Sequence, residues 1–340
     1  MAEQKLTTRR LNDIGLGFMQ SGTLVAAIEL GVFDALAAGG LSLAELASTT
    51  GLTEDRTDKL VSACATLDLL VTTAGKITNT AETDRFLIRG KPTYFGDYLV
   101  HLAKGSYASW GTLAERLKNE PPDGTGRYFA TGADPVEARA LTEAGYTGSQ
   151  GTARRLVGRF DFSTHHHLLD LGGGSAVYSI EACRQNPGLT ATVFDFENVC
   201  VVAREFIEKA GLADRIEARA LDFTSEALPN GADVVLLCGN IHAYDETTAA
   251  RVVKHAHDAL APGGAMIICD YMLNDERTGP PVAAFISVSQ TFSAGRGRVH
   301  SGADFTSYLT DAGFEVVKVE EFLVGSMGWA IGIKEADRRP

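Results

Sequence analysis

The chain has 340 residues, 45% hydrophobic and 22% charged, which is enough apolar material for two domains or one large one. The net charge of −12 argues against nucleic acid as the main partner, because phosphate binding needs clustered Lys and Arg. A polar N-terminus and the lack of an apolar run of ~20 residues predict a cytoplasmic protein without signal peptide or membrane span. The five cysteines show no CxxC spacing, which favours buried, reduced thiols over zinc or disulfides.

Residues 1–100 are predicted to form a mostly helical, winged-helix-like domain. Ser42 precedes an apolar run with Glu45 in its first turn, which is typical of a capped helix. Two short β-prone runs flank an Ala-Gly turn further on, which indicates a hairpin. The predicted elements are, in order, an amphipathic stretch from Leu24 to Leu36, a helix over Leu43–Ser48, a helix from Thr53 to Leu70, and a hairpin of Leu70–Thr73 with Lys76–Thr78.

Residues 101–162 are predicted to be a helical linker and substrate lid, interrupted by the polar loop Asn119–Gly126. From residue 163 to 340 the pattern changes to alternating strands and helices, which predicts a mostly parallel sheet with helices on both faces. No helix separates the last two strands, so they should pair as an antiparallel hairpin. The predicted strands are His167–Leu171, Thr190–Phe196, Arg215–Leu221, Asp233–Gly239, Ala265–Tyr271, Glu315–Phe322 and Trp329–Ile333, and the helices Tyr178–Arg184, Val199–Ala210, Glu246–Leu260 and Ala303–Ala312.

The most informative segment is the end of the first of these strands. The strand finishes at Asp170 and Leu171, three glycines follow (Gly172, Gly173 and Gly174), and a helical pattern then begins. Glycines allow close approach of the backbone to a ligand, and a helix N-terminus offers free N–H groups. This segment predicts a nucleotide-like cofactor site. His167 leads directly into the strand, so the preceding histidine run is interpreted as a strand entry rather than a metal tract.

Polar residues recur where the next strands end, which is the edge at which open α/β sheets bind ligands. Asp195 ends the second strand and could accept hydrogen bonds from both hydroxyls of a ribose. Asp222 and Phe223 end the third and could meet an adenine amino group and ring. No phosphate-binding motif is present, so a cofactor with a ribose and no phosphates, S-adenosylmethionine (SAM), fits better than NAD or ATP.

The motifs together resemble the SAM-dependent small-molecule O-methyltransferases of the caffeate, isoflavone and acetylserotonin type, with bacterial relatives in antibiotic pathways. The resemblance covers nearly the whole chain. It implies a Rossmann-like, seven-stranded class I methyltransferase domain preceded by a mostly helical winged-helix dimerisation domain, and hence a homodimer. The matching motifs are Leu169–Gly174, Phe194–Phe196, Asp222-Phe223, His242–Asp245 and Ala261–Gly264, and the implied cofactor residues are Asp170, Gly172, Gly173, Gly174, Asp195, Phe196, Asp222, Phe223, Cys238 and Tyr244.

His242 matches the catalytic histidine of this family, and an imidazole can take a phenolic proton near neutral pH. Asp270 aligns with an acid that orients this ring. A second orienting acid is absent near Val299, and Tyr244 replaces the usual Trp, so O-methylation of a phenol and C-methylation of an electron-rich ring both remain open. His242, Asp270 and His300 also fit a two-histidine, one-carboxylate metal site, but they lie on separate loops, so no metal is predicted.

Several aromatic and basic residues are candidates for a small aromatic substrate, with Arg298 or His300 filling the place of the missing acid. Residues of a second subunit, such as Phe18 or Met19, are further candidates. Two other classes of function compete: a winged-helix regulator, which the acidic charge of the expected recognition helix disfavours, and a non-methylating use of the cofactor. The candidate substrate residues are Trp110, Phe129, Tyr146, Tyr271, Phe292, Arg298 and His300.

Overall fold

The computed structural model describes residues 6–119, 132–293 and 296–336. The chain divides into two compact units, 1–108 and 109–340. This division differs from the three predicted segments, because the predicted linker 101–162 does not stand alone. The helix Pro135–Val157 within it contributes Ala153, Leu156 and Val157 to the same core cluster as the strands that follow.

The first unit is mostly helical. A capping box starts one of its helices: Glu45 N–H donates to Ser42 Oγ, and Ser42 N–H donates back to the Glu45 carboxylate. Leu41 forms an antiparallel β-bridge with Ile77, which adds a third extended segment beside the hairpin and completes the predicted winged-helix pattern. Its elements are α1 (Arg9–Gly15), α2 (Gly17–Glu29), α3 (Val32–Ala35), α4 (Leu43–Thr50), α5 (Glu54–Thr66), β1 (Leu70–Thr73), β2 (Lys76–Asn79), α6 (Ala81–Phe86) and α7 (Gly96–Gly111), the last of which runs past the unit boundary.

The second unit alternates strands and helices as predicted. A 3₁₀ turn, Ile241–Ala243, follows β6 and carries His242. The elements are α8 (Leu113–Arg116), α9 (Pro135–Val157), β3 (His167–Leu171), α10 (Val177–Gln185), β4 (Thr190–Asp195), α11 (Glu197–Lys209), β5 (Ile216–Ala220), β6 (Ala232–Cys238), α12 (Glu246–Ala259), β7 (Leu260–Leu273), α13 (Pro281–Ser293), β8 (His300–Ser301), α14 (Gly302–Ala312), β9 (Phe314–Leu323) and β10 (Met327–Lys334).

The large sheet has the strand order β5-β4-β3-β6-β7-β10-β9 within the described ranges. Strands β3 to β7 pair in parallel. Strand β10 pairs antiparallel with β9, as predicted from the lack of a helix between them, and also with β7. The strand order changes direction between β3 and β6, since β4 and β5 lie on one side of β3 while β6 and β7 lie on the other. The crevice for a ligand therefore lies at the carboxyl ends of β3 and β6. The two-residue strand β8, which pairs with β7, and the helix α13 are elements that were not predicted.

Apolar side chains cover both faces of the sheet. On one face Leu168 and Val193 belong to a core cluster with α9, α10 and α11, and on the other Leu169 and Leu171 belong to a cluster with α12 and α14. All five cysteines are buried, as expected. No helix among the described residues has both the length and the apolar character needed to cross a membrane.

Candidate active site

The glycine turn between β3 and α10 is shaped by close contacts that exclude side chains. Gly172 has a φ of +63°, and a Cβ built on it would lie 1.6 Å from the side-chain nitrogen of Asn240. That nitrogen donates to the Leu171 carbonyl at 2.8 Å, so Asn240 ties the end of β6 to the end of β3. Gly174 also has a positive φ, +55°, with open space where a Cβ would be. The turn therefore presents bare backbone at the crevice.

Asp170 lies beneath this turn rather than on its surface. The residue is 1% exposed, and its Oδ2 accepts a hydrogen bond from Ser179 Oγ at 2.7 Å. A Cβ on Gly173 would lie 2.7 Å from the Asp170 carboxyl carbon, so the acid is in contact with the turn from below. Burial raises the pKa of Asp170 to about 6. Its Oδ1 and the Oδ1 of Asn240 are buried without a partner among the described residues.

Asp195 at the end of β4 is held by two backbone donors. Gly174 N–H donates to Oδ2 at 2.9 Å and Phe196 N–H donates to Oδ1 at 2.8 Å. The residue is only 8% exposed, and this burial raises the pKa of Asp195 to about 6. Each carboxylate oxygen can accept a further hydrogen bond, so the side chain suits a ligand that offers two neighbouring hydroxyls.

A cleft adjoins Asp195 and brings four of the predicted cofactor residues together with it. Phe223 and Tyr244 meet edge to face in its wall, with ring centroids 6.3 Å apart. Partial burial acts to raise the pKa of Asp222, but hydrogen bonds from Ser225 and Thr224 outweigh it and keep that pKa below its ordinary value. The cleft is lined by Asp195, Phe196, Leu221, Asp222, Phe223, Thr224 and Tyr244, of which Leu221 and Thr224 were not predicted.

Cys238 ends β6 beside the crevice and is 7% exposed. It stands opposite Cys269 in the register between β6 and β7. Burial raises the pKa of the Cys238 thiol well above its ordinary value, so the side chain is neutral and contributes an apolar surface at the strand end.

His242 and Asp270 are in contact, although 28 residues separate them in the chain. The ring Nδ1 of His242 lies 2.8 Å from Asp270 Oδ1, and the His242 backbone N–H donates to Oδ2 at 3.3 Å. Asp270 is fully buried, whereas the His242 side chain is 18% exposed. Because a carboxylate accepts, Nδ1–H is the donor and Nε2 is left as the basic ring nitrogen.

Aromatic candidates for the substrate site fall into two groups. Tyr271 meets the His242 ring edge to face at 5.5 Å, and Trp110 lies 5.9 Å from Phe292 on α13. Tyr146 instead stacks on Phe206 of α11 at 4.2 Å, where it packs against the core cluster beneath that helix. Phe129 lies outside the described residues.

The two residues expected to replace the missing acid have other partners. Arg298 donates to the Glu246 carboxylate at 2.7 Å, so its charge is paired at the start of α12. His300 is 0% exposed, with Nε2 at 3.3 Å from the Ile241 carbonyl oxygen and Nδ1 at 2.9 Å from the Tyr308 hydroxyl. The expectation that His300 lines the substrate pocket is therefore corrected: β8 and α14 enclose it.

The alternative metal site also finds no geometric support in His300, since both of its ring nitrogens are occupied by protein partners. Across residues 6–119, 132–293 and 296–336, no group of three or more His, Cys, Asp or Glu side chains could hold a metal ion.

Comparison with known proteins identifies the family. A family model described as an O-methyltransferase domain matches residues 110–315, and an O-methyltransferase dimerisation domain matches residues 13–88. The chain belongs to the SAM-dependent O-methyltransferases. The same assignment gives the fold, a class I methyltransferase domain with an N-terminal helical dimerisation domain, as the motifs predicted.

Relatives of this methyltransferase match it over almost their full length. The 3-hydroxy-5-methyl-1-naphthoate 3-O-methyltransferase of Streptomyces sahachiroi is 35% identical and matches 95% of this chain and 94% of its own. Acetylserotonin O-methyltransferase of Mus musculus molossinus is 31% identical over 94% of this chain and 86% of its own. Human N-acetylserotonin methyltransferase, solved in complex with SAM, superposes with a TM-score of 0.86 at 26% identity, covering 99% and 100% of the two chains.

The residues of the methyltransferase fit its cofactor. Asp195 supplies two buried carboxylate oxygens for a ribose diol, and Phe223 with Tyr244 supplies aromatic walls for an adenine. The bare glycine backbone and the unpartnered Asn240 Oδ1 suit a polar group that comes close to the turn. These residues would hold the ribose, the adenine and the polar end of SAM when it is bound.

Proposed function

We propose that this enzyme methylates the hydroxyl oxygen of a small phenolic metabolite, with His242 as general base and Asp270 as the residue that orients it. The observation that carries the proposal is the bond of 2.8 Å between His242 Nδ1 and the fully buried Asp270 carboxylate. It leaves Nε2 basic on a side chain that is still 18% exposed and so can reach a substrate.

When bound, SAM supplies a methyl group on a positively charged sulfur, ready for displacement by an oxygen nucleophile. A neutral phenol attacks weakly, so His242 Nε2 takes the hydroxyl proton and the oxygen gains anionic character. Asp270 keeps the Nδ1 proton in place and stabilises the imidazolium that forms. The remaining contribution of the protein is alignment, because the transferred methyl is already activated.

The substrate class follows from the aromatic surroundings of the base. Tyr271 flanks the His242 ring, and the Trp110–Phe292 pair adds flat apolar surface in the same unit. Such surfaces suit a planar ring. The Streptomyces sahachiroi relative acts on a hydroxynaphthoate, and we propose a fused-ring or other small aromatic phenol of bacterial secondary metabolism for this enzyme.

The test is methyl transfer from SAM to 3-hydroxy-5-methyl-1-naphthoate and to a panel of simple phenols, catechols and aromatic amino acids, followed by mass spectrometry. We expect a product one CH₂ heavier, and His242→Ala should lower kcat by about 100-fold or more, the usual contribution of a general base. His166→Ala is the matched control, since His166 is exposed and engages Asp233 only through its backbone.

The position of the new methyl group decides between the two chemistries. An O-methyl signal in the NMR spectrum of the product supports the proposal, whereas an aryl C-methyl signal would replace it with attack by the ring carbon. Full activity in His242→Ala would remove the base and leave alignment alone as the catalytic principle.

We also propose that the enzyme is a homodimer. The matched dimerisation domain contains α2, and large apolar side chains on α1 and α2 are exposed in the single chain, among them Ile14 at 67% and Phe18 at 62%. Exposed apolar patches of this kind mark protein interfaces.

A further inference from the structure

We propose that His300 is a positioning residue that fixes the turn carrying His242, acting through the carbonyl group of Ile241. The inference rests on the proposed role of His242 as base. It assigns a function to a buried histidine that does not touch the substrate, 58 positions further along the chain.

The His300 ring is enclosed and bonded at both ends. It is 0% exposed, with Nε2 at 3.3 Å from the Ile241 carbonyl oxygen and Nδ1 at 2.9 Å from the hydroxyl oxygen of Tyr308 on α14. Buried polar atoms that are all paired fix a unique arrangement, because any shift leaves one of them unsatisfied at a cost.

The direction of each bond follows from the partners. A carbonyl oxygen can only accept, so His300 Nε2–H donates to Ile241, and Nδ1 accepts from the Tyr308 hydroxyl. Burial lowers the pKa of His300 and raises the pKa of Tyr308, so both side chains stay neutral near pH 7. The chain of donors therefore runs one way, from Tyr308 through His300 to Ile241.

The receiving carbonyl lies at the start of the 3₁₀ turn Ile241–Ala243, directly before His242. The same oxygen accepts the Tyr244 N–H at 3.1 Å, so one atom links His300 both to the base and to a wall of the cofactor cleft. A loss of the His300 bond would loosen this turn at its first residue.

The segment before His300 supports the same turn by two other contacts. A Cβ on Gly297 would lie 2.8 Å from the His242 carbonyl oxygen, so the Gly297 backbone is packed against the turn. Arg298 pairs with Glu246 at 2.7 Å, just after the turn. Val299, which stands between Arg298 and His300 in the sequence, is buried at the place where the second orienting acid is absent. Residues 297–300 thus contact the backbone of the turn that carries His242. The missing second acid would instead contact the His242 ring.

The experiment is a double-mutant cycle on turnover of 3-hydroxy-5-methyl-1-naphthoate or the best acceptor of the phenol panel. His300→Leu removes both bonds, His300→Gln keeps an amide donor and acceptor, and Tyr308→Phe removes only the hydroxyl. We expect His300→Leu to lower kcat by about 10- to 100-fold, as misplacement of a catalytic group does. His300→Gln should recover most of the loss, and Tyr308→Phe should fall between.

In the His242→Ala background the same His300→Leu change should cause no further loss, because the residue acts through the base. An equal loss in both backgrounds, or full activity in His300→Leu, would overturn the proposal. Retained activity in His242→Ala alone is a different result: it refutes the base, not the mechanical link between His300 and the turn.

A measurement without turnover tests that link directly. The Nδ1 proton of His242, donated to Asp270, gives a low-field proton NMR signal that is assigned by its loss in His242→Ala. His300→Leu and Tyr308→Phe should shift or broaden this signal while the methyl region keeps its folded dispersion. Tyr94→Phe is the matched control, since it removes a buried hydroxyl bonded to Asp97 in the first unit. An unchanged signal in both variants would contradict the proposal, whatever the acceptor.

Discussion

Three carboxylates near the carboxyl ends of strands in one sheet differ in their hydrogen-bond donors. Asp170 accepts from a serine beneath the glycine turn, Asp195 accepts from two backbone N–H groups at the cleft, and Asp270 accepts from the ring and the backbone of His242. In the proposed function the same residue type therefore shapes a turn, faces a ligand and orients a base. The position of a carboxylate near a strand end predicts the edge of the sheet on which it lies. The groups that donate hydrogen bonds to the carboxylate then determine what it can do there.

Asp195 gives a prediction about pH. Its pKa is about 6 in the free protein, and hydrogen bonds from ribose hydroxyls favour the charged form. The pKa should therefore fall when SAM binds, so affinity is highest above pH 6 and drops as pH falls through about 6. The loss should approach about 10-fold at about pH 5, one unit below this pKa, if the bonds to the charged acceptor contribute ~1.5–3 kcal/mol. Calorimetric titration of SAM between about pH 5 and 8 measures it.

Asp195→Asn should bind SAM weakly and with little pH dependence over this range, whereas Asp214→Asn, at an exposed carboxylate, should behave as the parent. A wild-type affinity that stays flat through pH 6 would show that Asp195 does not meet the ribose.

Sequence could place those residues whose position follows from topology. Asp195 ends β4, Asp222 follows β5 and Asp270 lies near the end of β7, and the carboxyl ends of parallel strands share one edge of a sheet. His300 and Tyr146 could not be placed this way. Their surroundings depend on Tyr308 and Phe206, on helices whose packing no local pattern encodes.

At the scale of elements, the alternation of strands and helices predicted that most of the sheet is parallel, and the lack of a helix between the last two strands predicted their antiparallel hairpin. The helix α13 escaped prediction because its polar residues, from Ser287 to Ser293, all lie in its second half, so no polar face runs along its full length to give a helical period. Strand β8 is two residues long and pairs only with β7, so it carries no periodic signal at all.

The glycine turn yields a second prediction. Gly172→Ala adds a Cβ where Asn240 already lies and forces a residue with a side chain into a left-handed conformation. The conformational part alone costs about 1–2 kcal/mol. Gly325→Ala is the matched control, since Gly325 has a φ of +72° with open space around its Cβ position. Urea unfolding should show a larger loss for Gly172→Ala than for Gly325→Ala, and SAM affinity should fall only in the former. Equal losses in the two variants would mean that Asn240 moves aside freely.

At the scale of the whole molecule, the second unit contains the candidate active site, and the first unit exposes large apolar side chains. The second unit contains the glycine turn, the cleft and the His242–Asp270 pair. The first unit has a winged-helix pattern, but the charges of α5 do not make it a nucleic-acid reader: Glu54 and Asp55 stand in its first turn and Lys59 is paired with Asp55. Its exposed apolar residues on α1 and α2 point to protein association instead.

Association is the last prediction. Leu11 and Ile14 on α1 and Phe18 on α2 are 70%, 67% and 62% exposed, and we expect a second copy of the chain to cover this apolar stripe. Light scattering after size exclusion should give twice the 36.2 kDa of one chain for the parent and a single chain for Ile14→Asp with Phe18→Asp. Val324→Asp changes an exposed apolar residue outside the matched dimerisation domain and should leave the mass doubled. If the variant with Ile14→Asp and Phe18→Asp remains dimeric, the interface lies elsewhere. If the monomeric variant binds SAM normally but loses turnover, the partner's N-terminal helices complete the substrate pocket.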